Sequence, residues 1–248
     1  MKTLHSYFVL SLLAILTACS VNNAEIDIIN PDVNNNSQNK ILPLGASRVD
    51  GARPVFESYR YELWKDLIDG GFTFDFLGSN LDEATYPNYA GQSFDRDHSG
   101  YGGLTSGQIL NNLPAWLNQS GTPDIVLFSS PGGNDALLNL SYTNAVTNVN
   151  SIIDILQERN PNVTIIIEQM APGKTQIMTP TLTNYMQQMN QEVVNIANNQ
   201  TTATSRVLTI DMFTGFSDAL LEDDVHYNQA GAEFIASRYY TILQTLLQ

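Results

Sequence analysis

Apolar runs of strand length recur along this chain at residues 41–45, 72–78, 124–130, 163–169 and 207–211, and helical patterns fill the intervals between them. Phe56, Tyr59, Leu63 and Leu67 form a stripe at helical spacing, widened by Trp64 and Ile68. Further helices are expected at 106–117, 142–159, 180–198 and 228–247. Thr179 before Pro180 marks one helix start, because proline at the first helical position loses an N–H that has no partner there. Gly70-Gly71 and Asn160-Pro161 break helix from strand. Strands alternating with helices predict βαβ units, a parallel sheet and a three-layer α/β/α sandwich.

The first 40 residues do not share this pattern. Lys2 precedes an apolar stretch at 7–16 that is too short to span a bilayer, as in a secretory leader over residues 1–18. Leu16-Thr17-Ala18-Cys19 resembles the lipobox of bacterial lipoproteins, which makes Cys19 the acylated residue of a membrane anchor. The other reading is an ordinary signal peptide with an incidental cysteine. Ser20 after the cysteine resembles lipoproteins of the outer membrane. Residues 19–40 then read as the lipidated cysteine followed by an Asn-rich tether, and 41–248 as one domain with a sizeable core.

Cys19 is the sole cysteine, which excludes a disulfide and a thiolate metal site in the domain. Removal of Lys2 with the leader leaves 10 basic against 25 acidic side chains, a net charge of −15. Such a surface repels phosphates and argues against nucleic acid as a partner.

Chemistry concentrates at three sites. Of three histidines, His5 lies in the leader, leaving His98 and His226. Asp223 stands three residues before His226, so a tight turn can set its carboxylate on one ring nitrogen while the other takes a proton. Asp224 is the alternative acid, less able to reach the ring from its place in the turn. The run Ile41-Leu-Pro-Leu-Gly45-Ala-Ser47-Arg48 ends in a turn offering a serine, and 124–135 closes on Gly132-Gly133-Asn134-Asp135. All three fall at strand ends or in loops beside them, where parallel sheets place ligand sites.

In this order the segments resemble the SGNH (GDSL-type) hydrolase superfamily, from about Ile41 to the C-terminus. The loop from Phe94 to Ile109, with Gly-x-x-Gly, Thr-x-x-Gln-Ile and then Trp116-Leu117, is most similar to the acetylxylan-esterase branch. The resemblance implies a flavodoxin-like sheet of strand order 2-1-3-4-5. It also implies a Ser47–His226–Asp223 triad and an oxyanion hole made by the Ser47 N–H, a loop glycine and the Asn134 amide. Gly103 aligns best as that glycine, with Gly100 and Gly102 as rivals.

The implied activity is hydrolysis of acyl esters, acetyl groups on extracellular polysaccharide foremost, without metal or organic cofactor. Lipid or aryl esters are the alternative substrates, and a non-catalytic glycan-binding lipoprotein is the alternative class. Two positions depart from the family: Ala46 where Asp is usual, and Arg48 where a small apolar residue is usual. Arg48 is expected to contact an anionic substrate group or to pair with Glu57 or Asp50. His98, in Asp95-Arg96-Asp97-His98, is read as a loop anchor, with cation binding as the competing role. Glu168-Gln169 is expected to line the site or to cap the following loop.

Overall fold

The computed structural model describes residues 38–247. The expected leader, lipidated Cys19 and most of the tether lie outside the described residues.

The sheet is built on β1 (Lys40–Gly45), whose residues from Ile41 onward are all buried. It pairs in parallel with β5 (Ile125–Phe128) in register Ile41↔Ile125 to Leu44↔Phe128. Then follow β6 (Thr164–Gln169) and β7 (Arg206–Asp211), again parallel. On its other side β1 takes the short β2 (Asp75–Phe76). The order through these five strands is 2-1-3-4-5, as expected. The sheet carries one addition. β3 (Asn80–Leu81) and β4 (Asp97–Gly100) form an antiparallel pair, and β4 joins the C-terminal end of β1 through Leu44↔Ser99 and Gly45↔Gly100. The segment 97–100, expected as loop, is therefore strand: its polar residues carry no apolar alternation, and tertiary pairing decides.

Alternation along the strands sorts their side chains into two cores. Leu42, Leu44, Val126, Phe128 and Ile165 pack against α3 (Ser106–Ser120), α5 (Tyr142–Arg159) and α6 (Pro180–Gln200). Ile41, Ile125, Leu127 and Ile166 face α2 (Arg60–Asp69) and α7 (Gln229–Leu243). The three layers follow from that alternation. Thr179 caps α6 by accepting from the Leu182 N–H, with Pro180 in the first turn as the sequence implies. Trp64 and Trp116 are core residues.

One helical expectation fails at its edge. α2 starts at Arg60, so Phe56 lies outside it. The Glu57 N–H instead donates to the Tyr227 carbonyl, and the Phe56 ring lies over His226. A tertiary contact overrides the local period. Two single-turn helices complete the site, α1 (Ser47–Asp50) after β1 and α4 (Gly133–Leu137) after β5.

Candidate active site

β1 delivers the nucleophile candidate. Gly45 ends the strand against Val49 and Ser129, and a Cβ there would stand 2.8 Å from Val49 Cγ2. Lacking one, the chain turns at Ala46 into α1 and places Ser47 on its first residue. Ser47 Oγ lies 2.8 Å from His226 Nε2. His226 Nδ1 lies 2.7 Å from Asp223 Oδ2. In the tautomer that donates Nδ1–H to this carboxylate, Nε2 is free to accept the serine proton.

Asp223 Oδ1 accepts the backbone N–H groups of Val225 at 2.9 Å and His226 at 2.7 Å, so one carboxylate sets both the turn and the ring. Partial burial raises its pKa, but the hydrogen bonds from His226 and the backbone outweigh that and hold it down at about 2. The rival acid Asp224 is turned away, accepting from the Gln176 amide. The Phe56 ring stacks on His226 with centroids 3.8 Å apart and planes 11° from parallel, covering the face of the imidazole. No sequence signal isolates Phe56, because its spacing also suits the α2 stripe.

The oxyanion candidates are separable by what their N–H groups already do. Gly100 N–H donates to His98 Nδ1 and Gly102 N–H to Asp50 Oδ2. Gly103 N–H and Ser47 N–H make no hydrogen bond among the described residues. Gly103 sits at φ 77°, a conformation that favours glycine. Asn134 gives one amide hydrogen to the Leu104 carbonyl at 2.8 Å, which fixes the side chain and leaves the second hydrogen over the cleft. Asp135 accepts the N–H and hydroxyl of Ser106, both at 2.8 Å, and so holds the start of α3.

Arg48 meets neither a substrate-facing role nor a pair with Glu57 or Asp50. Its Nε donates to the Val225 carbonyl at 2.9 Å, and its terminal nitrogens donate to the Ala171 and Pro172 carbonyls at 2.7 and 3.0 Å. The guanidinium also lies 4.9 Å from the Tyr227 ring centroid. The planar fork thus ties the nucleophile turn to the loop carrying His226, where the family's usual Asp has given way to Ala46. Beneath it lies Glu168, fully buried, which neither lines the cleft nor faces solvent. Burial raises its pKa, while hydrogen bonds from Tyr239, Ser130 and Ser129 and the nearby Arg48 charge pull it back.

His98 is an anchor on β4 rather than in a loop. It is fully buried, accepts from Gly100 N–H, and burial followed by the Arg60 charge keeps it neutral by lowering its pKa. Asp50 Oδ1 lies 4.0 Å from its Nε2, while Asp95 is taken up by the N–H groups of Phe76 and Asp97. Among the described residues no group of three or more His, Cys, Asp or Glu side chains gathers in a metal-holding arrangement.

Burial pushes the Asp95 carboxyl up to about 7 despite the Phe76 N–H, and the Asp97 charge adds to the rise. A raised carboxyl pKa means that the folded state binds more protons than the unfolded chain between about pH 4 and 7, so this group's contribution to stability declines as pH rises through that window. The urea midpoint is expected to fall from about pH 5 to pH 8, and to fall less in Asp95→Asn. Equal slopes in the two proteins would remove Asp95 as the source.

A hydroxyl, an imidazole and a carboxylate in series at the carboxyl ends of a parallel sheet define a serine hydrolase type of site. The chain belongs to the GDSL-like Lipase/Acylhydrolase family, whose profile matches residues 71–234. The match contains Asn134, Asp223 and His226 but begins after Ser47, the region of the Ala46 and Arg48 departures.

No curated protein matches the chain. Solved structures do. A carbohydrate esterase family 3 protein from Talaromyces cellulolyticus is 26% identical with TM-score 0.72, over 84% of this chain and 98% of the other. A family 3 carbohydrate esterase of Clostridium thermocellum is 28% identical with TM-score 0.67, over the same shares of 84% and 98%. An acetyl esterase variant with acetate ion is 26% identical with TM-score 0.73, again over 84% and 98%.

Proposed function

We propose that this protein is a serine esterase that hydrolyses acyl esters of extracellular saccharides, acetyl esters among them. The observation that carries the reading is the unbroken pair of hydrogen bonds from Ser47 Oγ through His226 to Asp223, at 2.8 and 2.7 Å. The saccharide part rests on the likeness to proteins described as carbohydrate and acetyl esterases.

Ser47 Oγ attacks the ester carbonyl as His226 Nε2 takes its proton. Asp223 stabilises the imidazolium and keeps it oriented. Negative charge collects on the carbonyl oxygen, facing the Ser47 and Gly103 N–H groups and the free Asn134 hydrogen. His226 returns its proton to the departing alcohol, leaving an acyl group on Ser47. Water, deprotonated by His226, then attacks that acyl group and releases the carboxylic acid. Nothing in these steps calls on a metal or an organic cofactor. The Leu16–Cys19 pattern supports a place in the cell envelope, the domain held by a lipid on Cys19 through the tether that follows.

A fluorophosphonate tests this directly. One label per chain is expected, carried on the peptide containing Ser47, with ester hydrolysis lost in step. Labelling elsewhere, or full turnover by labelled protein, refutes the assignment.

A further inference from the structure

The cleft beside Ser47 is walled by Leu104, Ile109, Leu137, Ile177, Leu182 and Met186, with Met170 at its floor. These come from the loop before α3, α3 itself, the end of α4, the segment before α6 and α6. Polar groups also line it, but they are spent inside the protein. Ser106 and Asp135 bond each other, and Ser106 also accepts from Asn148. Arg48 is occupied by three carbonyls, one of them that of Val225. Ser130 Oγ lies 3.4 Å from both Glu168 and Arg48. The Leu104 carbonyl is taken by Asn134. Among the side chains lining the cleft, only Ser47 and the second Asn134 hydrogen remain for a ligand, and the reaction itself uses both.

A sugar ring in this cleft would bury hydroxyls with no free side chain to bond them, which is unfavourable. A methylene chain incurs no such cost, and burial of each CH₂ is favourable. An acetyl methyl would touch only the wall nearest Ser47, leaving the rest against water. The cleft encloses about 630 Å³, its open mouth included. From Leu137, which lines the cleft, apolar surface continues along the chain: Leu137, Leu138 and Leu140 are 45, 59 and 46% exposed, three of the five exposed large hydrophobic residues among those described.

We infer that this cleft is an acyl slot that prefers a linear acyl chain longer than acetyl, with the alcohol portion leaving toward solvent. The inference rests on the esterase reading of Ser47 and specifies its substrate.

The test uses p-nitrophenyl acetate, butyrate, hexanoate and octanoate with the intact protein, alongside calorimetric binding of acetate and hexanoate. From acetate to hexanoate kcat/KM is expected to rise at least about tenfold, the least that a hydrophobic pocket distinguishes per added methylene. Hexanoate should bind more tightly than acetate. Leu182→Trp, and independently Ile177→Trp, should each lower the hexanoate-to-acetate ratio of kcat/KM by about tenfold or more. A kcat/KM that is flat or falls from acetate onward overturns the slot, as does hexanoate binding no tighter than acetate. No turnover of any ester while hexanoate still outbinds acetate refutes the esterase reading and upholds the slot's preference for a chain.

Discussion

Replacing Ser47 by alanine is expected to lower kcat/KM for p-nitrophenyl acetate by about four orders of magnitude or more. The hydroxyl makes the acyl-enzyme bond, so no nearby group substitutes for it. What survives would come from the backbone N–H groups and Asn134, which stabilise a charged carbonyl oxygen whichever nucleophile attacks. The fold should be nearly indifferent, because the Ser47 side chain has one hydrogen bond, to His226, worth about 1 kcal/mol. Steady-state kinetics with thermal unfolding on the same sample separates the two effects. Activity within tenfold of the unmodified protein would show that another group attacks the ester.

The next largest effect is expected at Asp223. Asp223→Asn should reduce kcat about 10³-fold, somewhat less than where the orienting acid is deeply buried. The reason is tautomeric. An amide that keeps Oδ1 on the Val225 and His226 N–H groups turns its NH₂ toward His226 Nδ1. The ring proton then moves to Nε2, where it faces Ser47 and blocks proton transfer. The attenuation follows from exposure: the Asp223 side chain is 50% exposed, so water can take over part of its role. Asp224→Asn should stay within about twofold, since that carboxylate meets Gln176 and not the ring. Reversed results for the two acids would exchange their assignments.

The pH profile should agree with this division. Asp223, held at about 2, stays charged through the working range, because its stabilised form is the carboxylate and protonation overtakes it only at strong acidity. The acid limb of activity should therefore not arise from Asp223.

The parts legible in the chain were those governed by local period and spacing. The five main strands, the order of helices and the three-residue step from Asp223 to His226 all follow from short-range rules. Phe56 was lost because two explanations, helix stripe and ring contact, share one spacing. β4 was lost because its residues are polar, and only pairing with the end of β1 makes them strand. Arg48 was misassigned for a different reason. Its partners are backbone carbonyls of Ala171, Pro172 and Val225, and carbonyls leave no mark in a sequence. The acidic charge partners expected for it were the visible candidates, and the fold places them elsewhere: Glu57 sits beside Arg53, and Asp50 accepts the Gly102 N–H.

Asp223 and His226 share one short turn, locked by the Val225 and His226 N–H groups donating to the Asp223 carboxylate. Acid and base therefore travel together as a rigid body, and jostling of that segment leaves their mutual alignment intact. Only one gap, between the imidazole and the hydroxyl, is open to thermal drift, and Arg48 spans it from the residue next to Ser47 to Val225 beside His226. Evolution could thus retune this catalyst's readiness by adjusting a single strut, without rebuilding any of the three reacting groups.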